Sequence, residues 1–583
     1  MEGPNVTFTV ADLIIETLKG AGIQRVYGIP GDSLNGFTDA IRRDGTIAWQ
    51  HVRHEEAAAF AAAGEAALTG ELAVCAASCG PGNLHLINGL YDAHRSRVPV
   101  LAIAAHIPSK EIGGFYFQET HPQELFRECS TYCELVASPE QLPYVLDIAV
   151  RSAIEQKDVA VLVIPGDVLL TEVERPSTVT TIRPTRSMVR PSDHELDVAA
   201  NALNSALRVT ILAGAGCAEA RDEVLALATV LQAPILHALR GKEFIEYDNP
   251  YDVGMTGLLG FSSGYHAMEE CDTLLLLGTD FPYREFYPSD VTVLQVDLRG
   301  EQIGRRVKVD VPLVGTVKDT AAALLPRLKA KTDSGHLDRM RQHYARSRAR
   351  LDELATSDKN RTPLHPQFVA RTIDDVADDD AVFLADVGTP VAWAARYLRM
   401  NGRRRLVGSF NHGTMANSLP QALGVQSAQP DRQVVTLAGD GGLAMMFGEL
   451  ITLRQLKLPV KVVVFNNGSL SFVELEMKAA GFVNFGTELE DPNFAAVAAA
   501  LGLHGQRVER PNDLADALRV AFAHDGPALV EVMTARQELL IPPTITAEQV
   551  KNFTLYATRT VLSGRGDELI DLAKTNVARF LVK

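Results

Sequence analysis

The chain has 583 residues, of which 46% are hydrophobic and 22% charged, and its formal net charge is −16. Its length predicts about three domains, and its composition is that of a globular protein with an ample hydrophobic core. The negative charge argues against nucleic acid as a partner and against electrostatic attachment to an anionic lipid surface.

Neither the apolar runs nor the N-terminus indicates a membrane-spanning or secreted protein. No apolar run approaches the length of a membrane span, and the N-terminus lacks the basic and then apolar pattern of a secretion signal. We therefore expect a cytoplasmic location. Two Cys-x3-Cys pairs offer metal ligands, but we interpret the cysteines as free thiols buried in a reducing compartment. They are Cys75, Cys79, Cys129, Cys133, Cys217 and Cys271.

The first part of the chain alternates predicted helices and strands. An amphipathic helix at 10–22 precedes a strand at 25–28, and an alanine-rich helix covers 57–67. Glu55 and Glu56 come directly before that helix, where carboxylates interact favourably with the positive end of the helix dipole. On this evidence alone, both glutamates are ordinary helix-start residues.

A Gly-Pro-Gly turn and an aromatic loop are the other features of this part. The turn, at 80–82, joins a buried strand at 72–77 to a helix. The loop at 115–119 contains Phe117 and Gln118, an aromatic and polar pair of the kind that lines substrate pockets. An ordinary surface loop would have the same composition, so both interpretations stay open.

The middle part begins after a linker at 171–191 that is rich in Pro, Thr and Arg. Its first strand ends at Gly-Ala-Gly, 214–216, but the residue three positions later is Glu219. The GxGxxG motif of dinucleotide-binding turns is therefore missing, which disfavours a nicotinamide dehydrogenase. Later strands end in the loops 254–260 and 278–283, which by themselves indicate ordinary α/β turns.

The stretch 433–476 carries the most specific chemistry. A buried strand ends at 439–442 with Gly-Asp-Gly-Gly, and after a helical segment a second strand ends at 466–468 with Asn-Asn-Gly. Parallel strands joined by a helix end at the same sheet edge, so we expect Asp440 and Asn467 to lie side by side. Their oxygens suit Mg²⁺, and the glycines let the backbone approach a diphosphate at a helix N-terminus.

The Gly-Asp-Gly and Asn-Asn segments at this spacing closely resemble the signature of the thiamin-diphosphate (ThDP) enzymes. The resemblance implies an α/β protein with three doubly wound parallel-sheet domains and a C-terminal tail helix. It implies a pyrimidine-binding domain at 1–175, a central FAD-binding domain at 190–335, a diphosphate-binding domain at 360–543 and a membrane-binding or regulatory tail at 544–583.

The same resemblance assigns expected roles to single residues. Glu55 meets the aminopyrimidine ring of ThDP held by the neighbouring subunit, Met415 supports the thiazolium ring, and the Gly413 carbonyl accepts from the aminopyrimidine. The expected Mg²⁺ ligands are Asp440, Asn467 and Ser469. The expected catalytic residues are Glu55, Phe117, Gln118 and Phe472. The further expected ThDP contacts are Thr414, Gly441, Gly442, Gly468, Leu470, Ser471, Phe472 and Val473.

The middle part resembles the flavin-bearing branch of the family. The segments HALRGKE at 237–243, YDNPYDVGMTGLLGFSSG at 247–264 and GTDFPYREFYP at 278–288 are similar to bacterial pyruvate oxidases. This resemblance implies FAD bound in an extended form. The expected FAD contacts are Thr256, Gly257, Leu258, Leu259, Thr279, Asp280, Phe281, Pro282, Tyr283 and Asp297.

The implied reaction is the oxidative decarboxylation of pyruvate to acetate and CO₂, with electrons passing through FAD to a membrane quinone. The implied assembly is a homo-oligomer, at least a dimer and in this branch a tetramer. Three alternatives stay open: an acetolactate synthase in which FAD has no redox role, a phosphate-dependent oxidase that forms peroxide, and a catalytically silent binding protein with the same fold.

The last predicted element is a helix at 567–582. Its apolar face comprises Leu569, Ile570, Ala573, Val577, Phe580 and Leu581. Such a face suits either docking on the protein body or contact with a membrane surface. Residues 562–576 resemble the membrane-engaging tail of the quinone-dependent members of the family, so we expect peripheral attachment at the inner face of the cell membrane.

Overall fold

The computed structural model describes residues 7–175, 182, 185–356, 361–538, 547–562 and 565–581. It contains three six-stranded sheets, and all of their strand pairs are parallel. The predicted class, α/β with three doubly wound parallel sheets, is confirmed. The central strands are buried along their whole length, as β strands covered by helices on both faces must be.

The first sheet comprises β1 Arg25–Gly28, β2 Ala48–His51, β3 Ala73–Ala77, β4 Val100–His106, β5 Tyr132–Leu135 and β6 Val159–Pro165. Its helices are α1 Val10–Gly20, α2 Asn35–Asp44, α3 Glu55–Thr69, α4 Pro81–Ser96, α5 Pro122–Leu125, α6 Leu142–Gln156 and α7 Gly166–Leu169. The strand order across this sheet is β2-β1-β3-β4-β6-β5.

The middle sheet comprises β7 Val209–Ala213, β8 Ile235–His237, β9 Asp252–Met255, β10 Thr273–Leu277, β11 Thr292–Asp297 and β12 Val311–Val314. Its helices are α8 Asp193–Ser205, α9 Arg221–Leu231, α10 Lys242–Ile245, α11 Ser262–Glu269 and α12 Val317–Leu324. The order β9-β8-β7-β10-β11-β12 is the 3-2-1-4-5-6 arrangement of dinucleotide-binding sheets. This order was not predicted, because the chain lacks the GxGxxG motif that usually accompanies it.

A long helix, α13 Gly335–Ala355, leads to the third sheet. This sheet comprises β13 Val382–Ala385, β14 Arg405–Gly408, β15 Val434–Gly439, β16 Lys461–Asn466, β17 His504–Val508 and β18 Ala528–Met533. Its helices are α14 Pro366–Val376, α15 Thr389–Tyr397, α16 Ser418–Ala428, α17 Asp440–Met445, α18 Glu449–Leu456, α19 Ser471–Ala479, α20 Phe494–Ala500 and α21 Pro511–Phe522. Its order, β14-β13-β15-β16-β18-β17, repeats that of the first sheet.

The first and third domains pack through α3 and α16. A Cβ atom added to Gly64 would lie 2.4 Å from the carbonyl oxygen of Gln421, and one added to Gly424 would lie 1.8 Å from that of Ala61. Only glycine lets the two helix backbones approach this closely. One hydrophobic cluster therefore runs from the first sheet into the third, and it positions the two domains against each other.

Arg405, at the start of β14, joins all three domains. Its Nε donates to Oε2 of Glu243 in the middle domain at 2.8 Å, and its Nη1 donates to the carbonyl of Leu68 in the first domain at 3.1 Å. Glu243 also accepts from the backbone N–H of Leu406 at 2.8 Å. Because the ion pair is largely buried, loss of either charge would leave the other without compensation and would weaken the junction.

The Arg405→Ala variant is expected to lower the free energy of unfolding by about 2–3 kcal/mol, because it leaves the largely buried Glu243 without its positive partner and the Leu68 carbonyl without this donor. Urea-induced unfolding followed by circular dichroism measures the loss. Arg510→Ala is the matched control, since within the described residues the Arg510 side chain forms an exposed pair with Asp513, and it should not change the midpoint measurably. Equal midpoints for the two variants would contradict the role of Arg405.

The described part of the tail forms two helices: α22 Ala547–Leu562 packs on α19, and α23 Gly566–Leu581 packs on α22. Arg559 donates to the Gly481 carbonyl at 2.8 Å, and Asn576 donates to the Gln537 carbonyl at 2.9 Å. Leu572 is buried and Ile570, of the predicted apolar face, is 55% exposed, whereas the side chains of Val577, Phe580 and Leu581 on that face lie outside the described residues. Among the described helices, none is long and apolar enough to cross a membrane.

Candidate active site

Asp440 and Asn467 lie side by side, as predicted. Asp440 begins α17 at the end of β15, and Asn467 follows β16, the neighbouring parallel strand. The Oδ2 of Asp440 accepts from the backbone N–H of Asn467 at 2.8 Å and from that of Gly468 at 2.7 Å. Its Oδ1 accepts from the N–H of Gly441 at 2.8 Å. These bonds fix the carboxylate at the sheet edge.

A second carboxylate, Asp491, faces Asp440. Burial and the charge of Asp440 raise the pKa of Asp491 to about 6, and its Oδ2 has no hydrogen-bond partner within the described chain. Burial likewise raises the pKa of Asp440, although backbone N–H groups oppose the change. Two close carboxylates beside the Asn467 amide oxygen form the hard oxygen set that suits Mg²⁺. The sequence carried no signal for Asp491.

The loop with Gly413, Thr414 and Met415 lies against the glycine-rich turn. The terminal methyl of Met415 would be 3.5 Å from a Cβ atom at Gly441, and Gly413 has a φ of 79° with open space beside it. The Thr414 hydroxyl donates to the Met415 carbonyl at 3.0 Å. The loop is anchored by Asn417, whose N–H donates to Asp386 at 3.1 Å. This places Met415 next to the glycine-rich turn at 439–442, called the diphosphate turn below.

Asp386 is a buried acid that sequence reasoning missed. A Cβ atom at Gly442 would lie 1.9 Å from its Oδ2, so glycine is required there for close packing. Burial raises the pKa of Asp386 to about 7. Asp386 follows β13, which pairs with β15. Its closeness to Gly442 therefore depends on the order of the strands, and this order could not be predicted from the sequence.

The other predicted ThDP contacts form one continuous turn and the start of α19. Gly468 has a φ of 65°, and the Asn467 side chain donates to the Ser471 hydroxyl at 2.9 Å. The Ser469 hydroxyl donates to the buried Glu474 at 2.5 Å. Leu470, Phe472 and Val473 complete this turn, and Val473 is 38% exposed. Residues 467–473 therefore form one continuous segment that begins beside Asp440.

Glu55 lies in a second cluster, in the first domain. It is the first residue of α3, and its Oε2 lies 2.9 Å from Nδ1 of His85. A Cβ atom at Gly82 would lie 3.3 Å from its Oε1, so the Gly-Pro-Gly turn borders the carboxylate. His85, which stacks on His54 with ring centroids 4.3 Å apart, was not predicted.

His54, Glu55 and His85 also have the spacing of a metal site, within 4.8 Å of one another. The Nδ1 of His54, however, accepts the backbone N–H of Glu56 at 3.2 Å as the cap of α3. A neutral imidazole has one lone-pair nitrogen, so its other nitrogen carries the proton and cannot bind a metal. We interpret the group as a hydrogen-bonded cluster around Glu55.

Gln118 reaches the same turn, whereas Phe117 points outward. The Oε1 of Gln118 accepts from the Cys79 thiol at 3.4 Å, and a Cβ atom at Gly80 would meet Gln118 at 2.8 Å. Phe117 is 78% exposed. Glu119 holds the loop by accepting the N–H of Tyr116 at 3.0 Å. Gln118 is thus placed near Glu55, and Phe117 is available to another surface.

The two clusters are joined through Asn88, a residue that the sequence gave no reason to select. Its Nδ2 donates to Glu56 at 2.6 Å and to the Thr414 hydroxyl at 3.1 Å. Its Oδ1 contacts Nε2 of His412 at 2.9 Å. Within the described ranges, no hydrogen bond links Glu55 itself to the loops of the third domain. Asn88 thus places the Glu55 cluster beside the Thr414 loop in the same chain, and the residues around Asp440 are called the diphosphate half-site below.

The carboxyl edge of the middle sheet carries the residues predicted to hold FAD. Thr256 follows β9, Thr279 follows β10 and Asp297 ends β11. From β11 to β9 there are four strand spacings, roughly 19 Å, which is a suitable length for an extended dinucleotide. The buried Thr256 hydroxyl has no partner among the described residues. Burial raises the pKa of Asp297, which accepts the N–H of Arg299.

The remaining residues of this edge are mostly apolar or aromatic, with one ion pair. A Cβ atom at Gly257 would lie 2.8 Å from the Phe281 ring, which packs edge-to-face on Tyr283 with centroids 5.5 Å apart. Asp280 is paired with Arg306 at 2.9 Å. Leu258, Leu259 and Pro282 belong to the same two loops, and Leu258 is 39% exposed. These residues and the free Thr256 hydroxyl fit a flavin nucleotide.

Three family models match the chain. They describe the thiamine pyrophosphate enzyme N-terminal TPP binding domain at 8–128, the central domain at 196–324 and the C-terminal TPP binding domain at 386–532. Over nearly its whole length the chain is also similar to a putative thiamine pyrophosphate-containing protein, YdaP, of Bacillus subtilis, with 36% identity over 568 residues, 97% of this chain and 98% of the relative. This chain belongs to the thiamin-diphosphate enzymes.

Other ThDP enzymes are related at similar levels. The pyruvate oxidase of Lactiplantibacillus plantarum is 30% identical over 533 residues, covering 89% of this chain and 87% of the relative. The acetolactate synthase isozyme 2 large subunit of Escherichia coli is 31% identical over 548 residues, covering 91% and 97%. The family resemblance predicted from the Gly-Asp-Gly and Asn-Asn segments is confirmed, and this ThDP enzyme binds thiamin diphosphate.

Proposed function

We propose that this ThDP enzyme acts on 2-keto acids and oxidatively decarboxylates pyruvate to acetate and CO₂, passing electrons through FAD to a membrane quinone. One observation carries the proposal. The same chain combines a diphosphate half-site around Asp440 with a middle sheet of dinucleotide-binding order, whose edge presents the unpaired Thr256 hydroxyl. Similarity to a pyruvate oxidase supports the choice of substrate.

The roles of the residues follow from their chemistry. Bound ThDP supplies a nucleophilic carbon and an electron sink, and FAD accepts two electrons. Asp440 and Asn467, with Ser469, would hold Mg²⁺ and orient the diphosphate. Glu55 would hold a proton at its carboxyl oxygen and share it with the aminopyrimidine. The Gln118 amide is suited to donate to the carboxylate of pyruvate, and Phe117 and Phe472 to exclude water.

A homo-oligomer completes the site in this proposal. Glu55 begins α3 in the first domain and Met415 lies in a loop of the third, and the family resemblance places Glu55 against ThDP that is held by a second copy. The aromatic loop supports this, because Phe115 is fully exposed and Phe117 largely so. At least a homodimer is required, and we propose a tetramer as in the flavin-bearing branch.

Membrane contact is proposed for the tail. The described part of α23 docks on the body through Leu572 and Asn576 and turns Ile570 and Ala573 outward. This outward face is suited to contact a lipid surface. The enzyme would then work at the inner face of the cell membrane, where the quinone is available, and otherwise in the cytoplasm.

Acetolactate synthesis is the second candidate, because similarity to an acetolactate synthase is as strong as similarity to the oxidase. In that reaction FAD would be bound without a redox role, and the enzyme would release acetolactate, the product of carboligation. A phosphate-dependent oxidase would instead require phosphate and consume O₂. Product analysis with and without phosphate separates the three reactions.

The first test is an anaerobic flavin spectrum of the purified protein with ThDP and Mg²⁺, before and after pyruvate is added. We expect the oxidised-flavin absorbance to disappear, because electrons from pyruvate have no other acceptor. Addition of a soluble quinone should restore it. A yellow protein that keeps its absorbance would favour acetolactate synthesis. A protein that binds no FAD when flavin is added back would contradict the oxidase proposal.

A further inference from the structure

Helix α15 connects the two cofactor edges of this ThDP enzyme. It begins directly after β13, and Pro390 in its first turn lies 3.7 Å from the Cβ position of Gly439, at the diphosphate turn. The helix has nine residues, so its two ends are separated by about 12 Å. Its first turn thus contacts the Asp440 half-site, and its last turn lies elsewhere.

The last turn of α15 is hydrogen-bonded to the predicted flavin loop. The Arg396 Nε donates to the Leu259 carbonyl at 3.0 Å, and its Nη2 donates to the Gly260 carbonyl at 3.3 Å. Both carbonyls belong to the loop that follows Thr256. Arg396 is 6% exposed, so these charge-assisted bonds form away from water, where they are strong.

Packing supports the same connection. Ala395 of α15 forms a small hydrophobic cluster with Met255 and Phe261, the residues that flank the loop on either side. The guanidinium of Arg348, on α13, lies over the ring of Phe261 and donates to the Arg396 carbonyl. The loop is thus tied to the third domain as well as to its own sheet.

We propose that Arg396 is a positioning residue that fixes the flavin loop 256–260 relative to the ThDP half-site. The inference rests on the proposed function, because it requires FAD at the middle sheet. Rapid electron transfer between two cofactors depends on the distance between them. Helix α15 has one end at each site, and the buried Arg396 guanidinium binds the flavin loop at the second end. This arrangement holds the distance between the two sites constant.

The test compares Arg396→Met and Arg396→Lys with wild type and with Arg519→Met, a control whose arginine forms a surface pair with the exposed Asp516. Equilibrium dialysis and flavin fluorescence give the Kd for FAD, and a separate titration gives the Kd for ThDP. Stopped-flow absorbance gives the rate of anaerobic flavin reduction by pyruvate. Trp393, one of only two tryptophans and itself on α15, reports on the helix by fluorescence.

For Arg396→Met we expect at least a tenfold rise in the Kd for FAD and at least a tenfold slower flavin reduction, with the Kd for ThDP within twofold of wild type. Arg396→Lys, which keeps the positive charge but replaces two donor nitrogens by one, should fall between the two, and the Arg519→Met control should match wild type. Unchanged FAD binding and reduction in both Arg396 variants would overturn the inference alone. A wild-type protein that binds no FAD would overturn the proposed function and this inference together.

Discussion

The Asp440→Ala variant is expected to bind ThDP with Mg²⁺ at least 100-fold more weakly than the wild-type enzyme. The carboxylate accepts three backbone N–H bonds that shape the turn, from Gly441, Asn467 and Gly468. Hydrogen bonds to charged groups contribute about 1.5–3 kcal/mol each, and a 100-fold loss of affinity corresponds to about 2.8 kcal/mol. Loss of two such bonds, and of a metal ligand, therefore suffices.

Isothermal titration calorimetry with ThDP at saturating Mg²⁺ measures this effect. Asp431→Ala is the matched control, since Asp431 is exposed on the turn before β15, and its affinity should equal that of wild type. Asp440→Asn should bind ThDP better than the alanine variant because it keeps one oxygen acceptor. If Asp440→Ala bound ThDP as wild type does, the Mg²⁺ and diphosphate site would have to be elsewhere.

Glu55→Gln is expected to lower turnover with pyruvate by about 10²–10³-fold, within the range for loss of a general acid–base group. The amide has the same shape and can keep the contact with His85, so the fold and the start of α3 should be unchanged. The Kd for ThDP should rise less than fivefold, because the diphosphate half-site is in the third domain. Steady-state kinetics and far-UV circular dichroism test both statements.

The neighbouring glutamate supplies the control. Glu56 is one residue away on the same helix turn, but its carboxylate accepts from Asn88 rather than from His85. Glu56→Gln should therefore reduce turnover less than tenfold. Wild-type turnover in Glu55→Gln would remove Glu55 from the mechanism, and equal losses in both variants would indicate a general effect of charge at the start of α3.

Much of the diphosphate half-site was predictable from local sequence. Buried strands that end in Gly-Asp-Gly-Gly and Asn-Asn-Gly, with a helical segment between them, leave one arrangement, since parallel strands joined in this way end at the same edge. The direct bond from the Asn467 N–H to Asp440 follows from that arrangement. The length of the chain predicted about three domains, and the resemblance to the ThDP enzymes implied the three doubly wound parallel sheets.

Other parts of the site depended on contacts between distant segments. Asp386 touches Gly442, Asp491 faces Asp440, and Asn88 reaches Thr414, yet none of the three stands in a recognisable motif. The predicted apolar face of the tail included Ile570, whereas the structure buries Leu572 and Asn576, since Gln537 offers a carbonyl on that side.

The sequence by itself determined the turn at Asp440, because its turn residues act over a few neighbours, and the resemblance of these residues to the ThDP enzymes implied the class of the fold. Only the tertiary structure decided the dinucleotide order of the middle sheet, the link from Glu56 through Asn88 to Thr414, and the bonds from Arg396 to the loop 256–260. Strand order and domain docking are set by the packing of surfaces far apart in the chain, and this packing has no local sequence pattern.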